Sequence, residues 1–94
     1  MDGYRIDVVP EGLVLFCWHH DQPGIIGHVG TLLAGHAVNI AGMQVGRESL
    51  GGQAVMAVSV DHPILVEVQR EIEQHPAIMR TRLVDFGPRG NHAP

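Results

Sequence analysis

Residues 13–35 read LVLFCWHHDQPGIIGHVGTLLAG, and their pattern sets the architecture of the domain. Leu13–Trp18 is a continuous apolar run of strand length, which is typical of a strand buried on both faces. After a polar loop at residues 19–24, apolar side chains recur at helical spacing, at Ile25, Ile26, Val29, Leu32 and Leu33. The stretch therefore predicts a buried strand and then an amphipathic helix over Gly24–Ala34, with Gly35 as a left-handed residue that caps the helix end.

The middle of the chain continues the alternation of strands and helices. A hairpin is predicted from strands at Val38–Glu48 and Gln53–Val60, joined by a turn at residues 49–52. A second amphipathic helix is predicted to open at Pro63, because proline suits the first helical turn. The dipeptide His75–Pro76 is expected to stop this helix.

The last predicted strand is Ala77–Phe86, and it completes the fold. Its apolar residues do not fall on one face of a regular strand, and a β-bulge would reconcile them. The element order is then βαββαβ, which is the split βαβ arrangement of a ferredoxin-like α+β fold. We expect a four-stranded antiparallel sheet with two helices on one face, and with the other face and at least one sheet edge available for pairing with a second copy.

Both ends of the chain lie outside this pattern. Tyr4, Ile6 and Val8 alternate with polar residues before Pro10 interrupts, so residues 1–12 are predicted to be a short strand, arm or linker. The domain proper is predicted over residues 13–87. Residues 88–94 contain proline, glycine and asparagine without an apolar run, and they are predicted to be a disordered tail.

Length and charge narrow the classes of function. A chain of 94 residues fits one domain, and marginal stability at this size makes oligomerisation plausible. The net charge of −4, with six arginines and no lysine, argues against phosphate-tracking nucleic-acid binding and excludes lysine Schiff-base chemistry. Cys17, the single cysteine, is expected to be a buried hydrophobe. No signal peptide or membrane-spanning run is present, so a cytosolic protein without a membrane partner is expected.

The densest polar cluster is His19-His20-Asp21, where the first strand turns into the first helix. The amino terminus of a helix offers unpaired backbone N–H groups that attract a carboxylate. Glycines at 27 and 30 would allow close approach of a ligand or simply of another helix. His19 and His20 point apart in a strand and no nucleophile accompanies them, so we expect no metal site, cofactor or catalytic residue.

Several motifs together resemble a known family. They are HHDQPGIIG at residues 19–27, VGTLL at 29–33, NIAGMQVGR at 39–47, GGQA at 51–54 and LVDF at 83–86. These motifs resemble the ACT domain that ends the D-3-phosphoglycerate dehydrogenase family. The resemblance implies a non-catalytic module that pairs side by side into an eight-stranded sheet and holds L-serine at the interface, for feedback inhibition of an NAD-dependent parent enzyme.

The resemblance also implies the ligand-binding residues. Their side chains would be His19, Asp21 and Asn39, and the turn at Gly24, Ile25 and Ile26 would lend backbone N–H groups to the amino acid. Relatives often carry asparagine at the position of Asp21, so another small amino acid, such as glycine, remains an alternative ligand. A pairing module without ligand is a second alternative, and Asn39 could then simply tie the helix-to-strand turn. Arg47, beside Glu48, is expected to form a solvated surface pair without a ligand role.

Overall fold

The computed structural model describes residues 11–47 and 52–87. The elements are β1 (Leu13–His20), α1 (Ile25–Gly35), β2 (Ile40–Arg47), β3 (Gln53–Val60), α2 (Val66–Glu73) and β4 (Ile78–Asp85). This order confirms the predicted βαββαβ fold. The predicted arm up to residue 10, the turn at residues 49–51 and the tail at 88–94 lie outside the described residues. Neither described helix has the length and apolar character of a membrane-crossing segment.

The sheet has the strand order β2-β3-β1-β4, and every neighbouring pair is antiparallel. β1 is central, and β2 and β4 form the edges. Because β1 and β2 are both antiparallel to β3, they run in the same direction. The carboxyl ends of β1 and β2 therefore lie at the same end of the sheet, and this topology positions the candidate site.

The main core lies between the sheet and the two helices. Alternate residues of the central strands face it, and the helices contribute one apolar stripe each. Its fully buried members include Leu15, Cys17, Val29, Leu33, Met56, Val58 and Ile72. The predicted burial of Cys17 is confirmed. Burial, reinforced by the negative charge of Glu73, raises the pKa of the Cys17 thiol from 9.0 to about 12, so the thiol stays protonated and unreactive.

The opposite sheet face carries a second apolar cluster. Val14, Phe16, Val55 and Ala57 are all at most 2% exposed, and Trp18, Val84 and Phe86 pack against them. The rings of Phe16 and Phe86 meet edge to face at 6.3 Å. The sequence predicted that this face is available for pairing with a second copy. That expectation was wrong for these four residues, since they are buried.

The irregular pattern of the last strand has the predicted cause. Arg80 pairs with Trp18 and Ile78 pairs with His19, so Met79 is one extra residue on β4. This β-bulge turns Ile78 and Leu83 to the same core, although they differ in parity. A second irregularity, at Ala41 in β2, was not predicted.

Two predicted helix ends differ from the structure. α1 ends at Gly35, one residue beyond the predicted Ala34, and the left-handed residue is Ala37, with φ of 60°, rather than Gly35. The N–H groups of Ala37 and Val38 donate to the carbonyls of Ala34 and Leu33, the pattern of a Schellman motif. α2 begins at Val66 and not at Pro63, because Leu65 keeps an extended backbone and the preceding Ile64 packs into the core.

Candidate functional site

A pocket of about 700 Å³ lies at the end of the sheet where β1 and β2 both finish. This volume is within the range of small-molecule sites. The pocket is lined by His19, Asp21, Gln22, Pro23, Gly24, Ile25, Ile26, Val45 and Arg47. All of the predicted ligand-binding residues except Asn39 therefore lie together.

His19 lines this pocket and carries a buried polar atom without a hydrogen-bond partner among the described residues. The residue is only 3% exposed, and its Nδ1 lies 2.8 Å from the carbonyl oxygen of His20. A carbonyl oxygen can only accept, so Nδ1 carries the proton and donates. In the neutral ring, Nε2 is then an acceptor. This atom is buried and has no hydrogen-bond partner in the described part of the chain, so an O–H or N–H donor is the partner it lacks.

Asp21 follows β1 in a loop that is held by the residues just before β4 and β3. The His20 N–H donates to the Ala77 carbonyl at 2.8 Å, and the Asp21 N–H donates to the Gly52 carbonyl at 2.7 Å. The Asp21 carboxylate lies 3.1 Å from Nε of Arg47. A carboxylate at this position can accept from an ammonium group of a ligand.

Arg47 is the residue that sequence reasoning missed. The predicted pair with Glu48 lies outside the described residues; the structure places the exposed Arg47 in the lining of the pocket, where it pairs with Asp21. The physical reason is the topology: Arg47 ends β2 at the same end of the sheet where β1 turns into its loop. The predicted βαββαβ fold already implied that β1 and β2 end on the same side of the sheet, and this could have placed Arg47 near the loop after β1.

The start of α1 forms the third wall of the pocket. Gly24 has a φ of 92°, a backbone conformation that favours glycine, and its carbonyl accepts the first helical hydrogen bond, from His28 at 2.9 Å. α1 has no side-chain cap and no acidic residue in its first turn. Its first N–H groups therefore have no partner within the helix, and the positive end of the helix dipole faces the pocket. Ile25 is buried and anchors this turn, whereas Ile26 is 51% exposed.

Asn39 lies at the opposite end of the sheet, just before β2. Its side-chain Nδ2 donates to Oδ2 of Asp61 at 2.5 Å, and its carbonyl accepts from the Asp61 N–H at 3.2 Å. Asn39 thus ties the starting point of β2 to the end of β3. The length of β2 separates it from Arg47 by roughly 25 Å, so a single chain cannot bring Asn39 to the pocket.

Gly27 and Gly30 do not serve helix packing among the residues that the structure describes. A Cβ atom built at either position meets nothing within 4 Å. The alternative that these glycines let another helix of the same chain approach is therefore not supported. No group of three histidine, cysteine or acidic side chains gathers into a possible metal site within residues 11–47 and 52–87.

The family follows from comparison with known proteins. The family model of the ACT domain matches residues 13–77. This chain belongs to the ACT domain family. It is 39% identical over 86 residues to D-3-phosphoglycerate dehydrogenase of Methanocaldococcus jannaschii, and 38% identical over 86 residues to the enzyme of the same name from Bacillus subtilis.

Each of these alignments covers 92% of the chain but only 16% of the relative. The ACT domain described here thus spans about one sixth of the length of these enzymes. Among solved structures, the solution structure of the C-terminal domain of the MgtC protein from Mycobacterium tuberculosis has a TM-score of 0.60. That likeness covers 100% of this chain and 96% of the other at 13% identity, so it supports the fold alone.

Proposed function

We propose that this ACT domain is a non-catalytic regulatory module that binds a free amino acid, L-serine, between two copies of itself. In the proposed parent, an NAD-dependent cytosolic D-3-phosphoglycerate dehydrogenase, bound serine inhibits the enzyme. The observation that carries the proposal is the pocket that His19, Asp21 and the start of α1 line together, where the buried Nε2 of His19 has no partner among the described residues.

The pocket offers one group for each polar part of serine. The Asp21 carboxylate accepts from the ammonium, and the N–H groups of the first turn of α1 donate to the carboxylate. In the tautomer that carries its proton on Nδ1, the His19 ring accepts at Nε2 and so suits the serine hydroxyl. Alanine and glycine would leave Nε2 unsatisfied, and this is the physical basis for preferring a hydroxyl amino acid.

A second copy completes the site. β2 is an edge of the described sheet, and an antiparallel pairing of two β2 strands about a twofold axis would extend the sheet to eight strands. Such pairing sets the beginning of one β2 against the end of the other. Asn39 of the partner subunit would then lie near Arg47 and the pocket. The pocket is larger than a small amino acid needs, which leaves room for this contribution.

Serine held between two domains favours the arrangement that binds it. Inhibition then arises because the parent enzyme is less active in that arrangement, which is allostery by differential affinity. Reciprocity follows: serine tightens dimerisation by the factor by which dimerisation tightens serine binding. Sedimentation with and without serine measures that factor, and a dimer constant unchanged by saturating serine would contradict the mechanism.

Thermal unfolding in the presence of each of the twenty amino acids tests the ligand. A ligand at 100 times its Kd stabilises the folded state by about 2.7 kcal/mol. We expect a selective rise in Tm with L-serine that is lost in Asp21→Ala and in Asn39→Ala. Asp85→Ala, at the opposite end of the sheet, is the matched control and should keep the rise. Equal rises in Tm with glycine or alanine would mean that the protein does not recognise the serine hydroxyl.

One observation favours a second function, a pairing module without ligand. The amide of Asn39 is already bonded to Asp61 within the chain, which is the structural role considered for it in the sequence. If the protein is dimeric and no amino acid at millimolar concentration raises its Tm, the pairing module is the better description. In that case Asn39→Ala should lower stability through the lost tie to Asp61 and should leave no ligand effect to lose.

A further inference from the structure

We propose that Arg47 is a ligand-binding residue that, together with Asp21, reads both charges of a free α-amino acid. Arg47 lines the pocket, and its Nε lies 3.1 Å from Oδ2 of Asp21. Neither the resemblance nor the family assignment gives Arg47 a role. This inference rests on the proposed function, because it names the group that holds the carboxylate of the same ligand.

The chemistry of the guanidinium supports this role. Arginine carries five N–H donors in a planar fork that matches a carboxylate. The contact with Asp21 uses the Nε side, so further donors remain for a ligand. The Arg47 side chain is 55% exposed whereas that of Asp21 is 15% exposed. The guanidinium therefore reaches the open part of the pocket, where a ligand carboxylate would lie between it and the first turn of α1.

Charge balance defines the class of ligand. Without ligand, Asp21 and Arg47 compensate each other. A zwitterion inserts one charge of each sign, so its ammonium pairs with Asp21 and its carboxylate with Arg47, and no charge is left without a partner. An amine alone or a carboxylic acid alone would leave one member of the pair uncompensated, which is unfavourable where water is partly excluded. The pair thus selects free α-amino acids over amines and over carboxylic acids.

Calorimetric titration with L-serine and L-serinamide separates this role from an indirect one. L-serinamide keeps the ammonium and the hydroxyl but replaces the carboxylate by a neutral amide, and it is used at a pH where its amine is charged. In Arg47→Met we expect the affinity for L-serine to fall about 10- to 100-fold, since a charged hydrogen-bond pair is lost. The affinity for L-serinamide should stay the same or rise, because serinamide has no carboxylate for Arg47 to hold and the variant removes the charge that its ammonium leaves uncompensated.

Two further variants sharpen the test. Arg47→Lys keeps the charge and loses the fork, so its affinity for L-serine should fall between wild type and Arg47→Met. Arg70→Met, on the exposed side of α2, is the control and should bind both ligands as wild type does. Thermal unfolding without ligand shows whether each variant is folded.

The outcomes are distinct. An equal loss for both ligands in Arg47→Met would mean that Arg47 only positions Asp21, and an unchanged affinity for L-serine would remove Arg47 from the site; either result overturns the inference and leaves the proposed function standing. A wild-type protein that binds neither L-serine nor any other amino acid would overturn the proposed function itself, and the inference with it.

Discussion

The two helices cover the same sheet face but differ in the charged residues at their ends. α2 has Glu67 in its first turn and Arg70 in its last turn, charges that compensate the helix dipole. α1 has no acidic residue in its first turn and no basic residue in its last. The start of α1, whose helix dipole no acidic side chain compensates, faces the candidate site. In α2 both ends carry a compensating charge. The difference supports the proposal that α1 contributes to a ligand site, whereas α2 serves the fold.

The helices also differ in their polar contacts with the sheet. The Thr81 hydroxyl in β4 lies 2.6 Å from Oε2 of Glu73 and 3.3 Å from Oε1 of Gln69, and the Thr81 N–H donates to the same Glu73 oxygen at 2.9 Å. These bonds tie α2 to an edge strand whose N–H would otherwise lack a partner. α1 relies on its buried apolar residues Ile25, Val29 and Leu33.

The largest expected effect is a loss of stability when a buried side chain of either helix is truncated. It tests whether the two helices contribute equally to the core. Leu33→Ala in α1 and Ile72→Ala in α2 should each lower the free energy of unfolding by about 2 to 5 kcal/mol, because both side chains are 0% exposed and leave cavities. Chemical denaturation at fixed protein concentration measures both. Ile26→Ala, at a 51% exposed position of α1, should change stability by less than about 0.5 kcal/mol. A much smaller cost for Leu33 than for Ile72 would mean that α1 is only loosely docked.

The tie between α2 and β4 should have the next largest effect. Thr81→Val removes the hydroxyl and leaves the Glu73 carboxylate with fewer donors, so we expect a loss of about 1 to 2 kcal/mol. Thr31→Val, on the exposed side of α1, is the matched control and should be nearly neutral. Equal costs for the two variants would break the contrast between the helices.

Cys17, beneath the helices, gives stability a pH dependence. Burial and the charge of Glu73 raise the pKa of its thiol to about 12 in the folded state, against 9.0 for the ordinary thiol. The unfolded chain therefore loses this proton first as pH rises, so the contribution is present below about pH 9 and is lost above it. Between about pH 8 and pH 10 the loss should be roughly 1.4 kcal/mol.

Comparing the pH dependence of Cys17→Ala with that of wild type isolates this contribution. The variant has a lower stability throughout because of its cavity, and its free energy of unfolding should fall less steeply over this range. Parallel curves for the two proteins would show that the thiol ionises in the folded state as readily as in the unfolded chain, and hence that the helices do not seal it from water.

Much of the fold and part of the site could be read from residues 13–35, because both depend on local periodicity. The apolar run predicts β1, and the helical spacing of Ile25, Val29 and Leu33 predicts α1. The polar loop between the two elements then places His19 and Asp21 at the start of a helix, without any knowledge of tertiary structure. The irregular β4 pattern likewise predicted its bulge. Each of these patterns lies within a single helix, strand or loop, and the structure has the predicted element at each of these positions.

Features that depend on distant contacts could not be read in the same way. Arg47 reaches the pocket only because β1 and β2 run in the same direction, and the neighbouring Glu48 suggested a surface pair instead. The unsatisfied Nε2 of His19 depends on a hydrogen bond of Nδ1 to the next carbonyl, which the residue type does not reveal. The length of β2 separates Asn39 from the pocket, so the ligand role proposed for it would require a second copy.

The smallest expected effect concerns the carboxyl ends of the two helices. Ala37, after α1, has a φ of 60°, whereas Gln74, after α2, is right-handed with φ of −69°. A left-handed alanine is strained because of its Cβ, so Ala37→Gly should raise the free energy of unfolding by about 0.5 to 1 kcal/mol after allowing for the greater freedom of glycine in the unfolded chain.

Gln74→Gly is the matched substitution at the other helix end. No strain is relieved there, and the entropic cost of glycine should lower stability by about 0.5 to 1 kcal/mol. The two variants should therefore shift Tm in opposite directions when measured side by side. Shifts of the same sign would mean that the Schellman motif at Ala37 holds its geometry without strain. The end of α1 would then be as relaxed as that of α2, and the difference between the helices would be confined to their amino termini, where the ligand is proposed to bind.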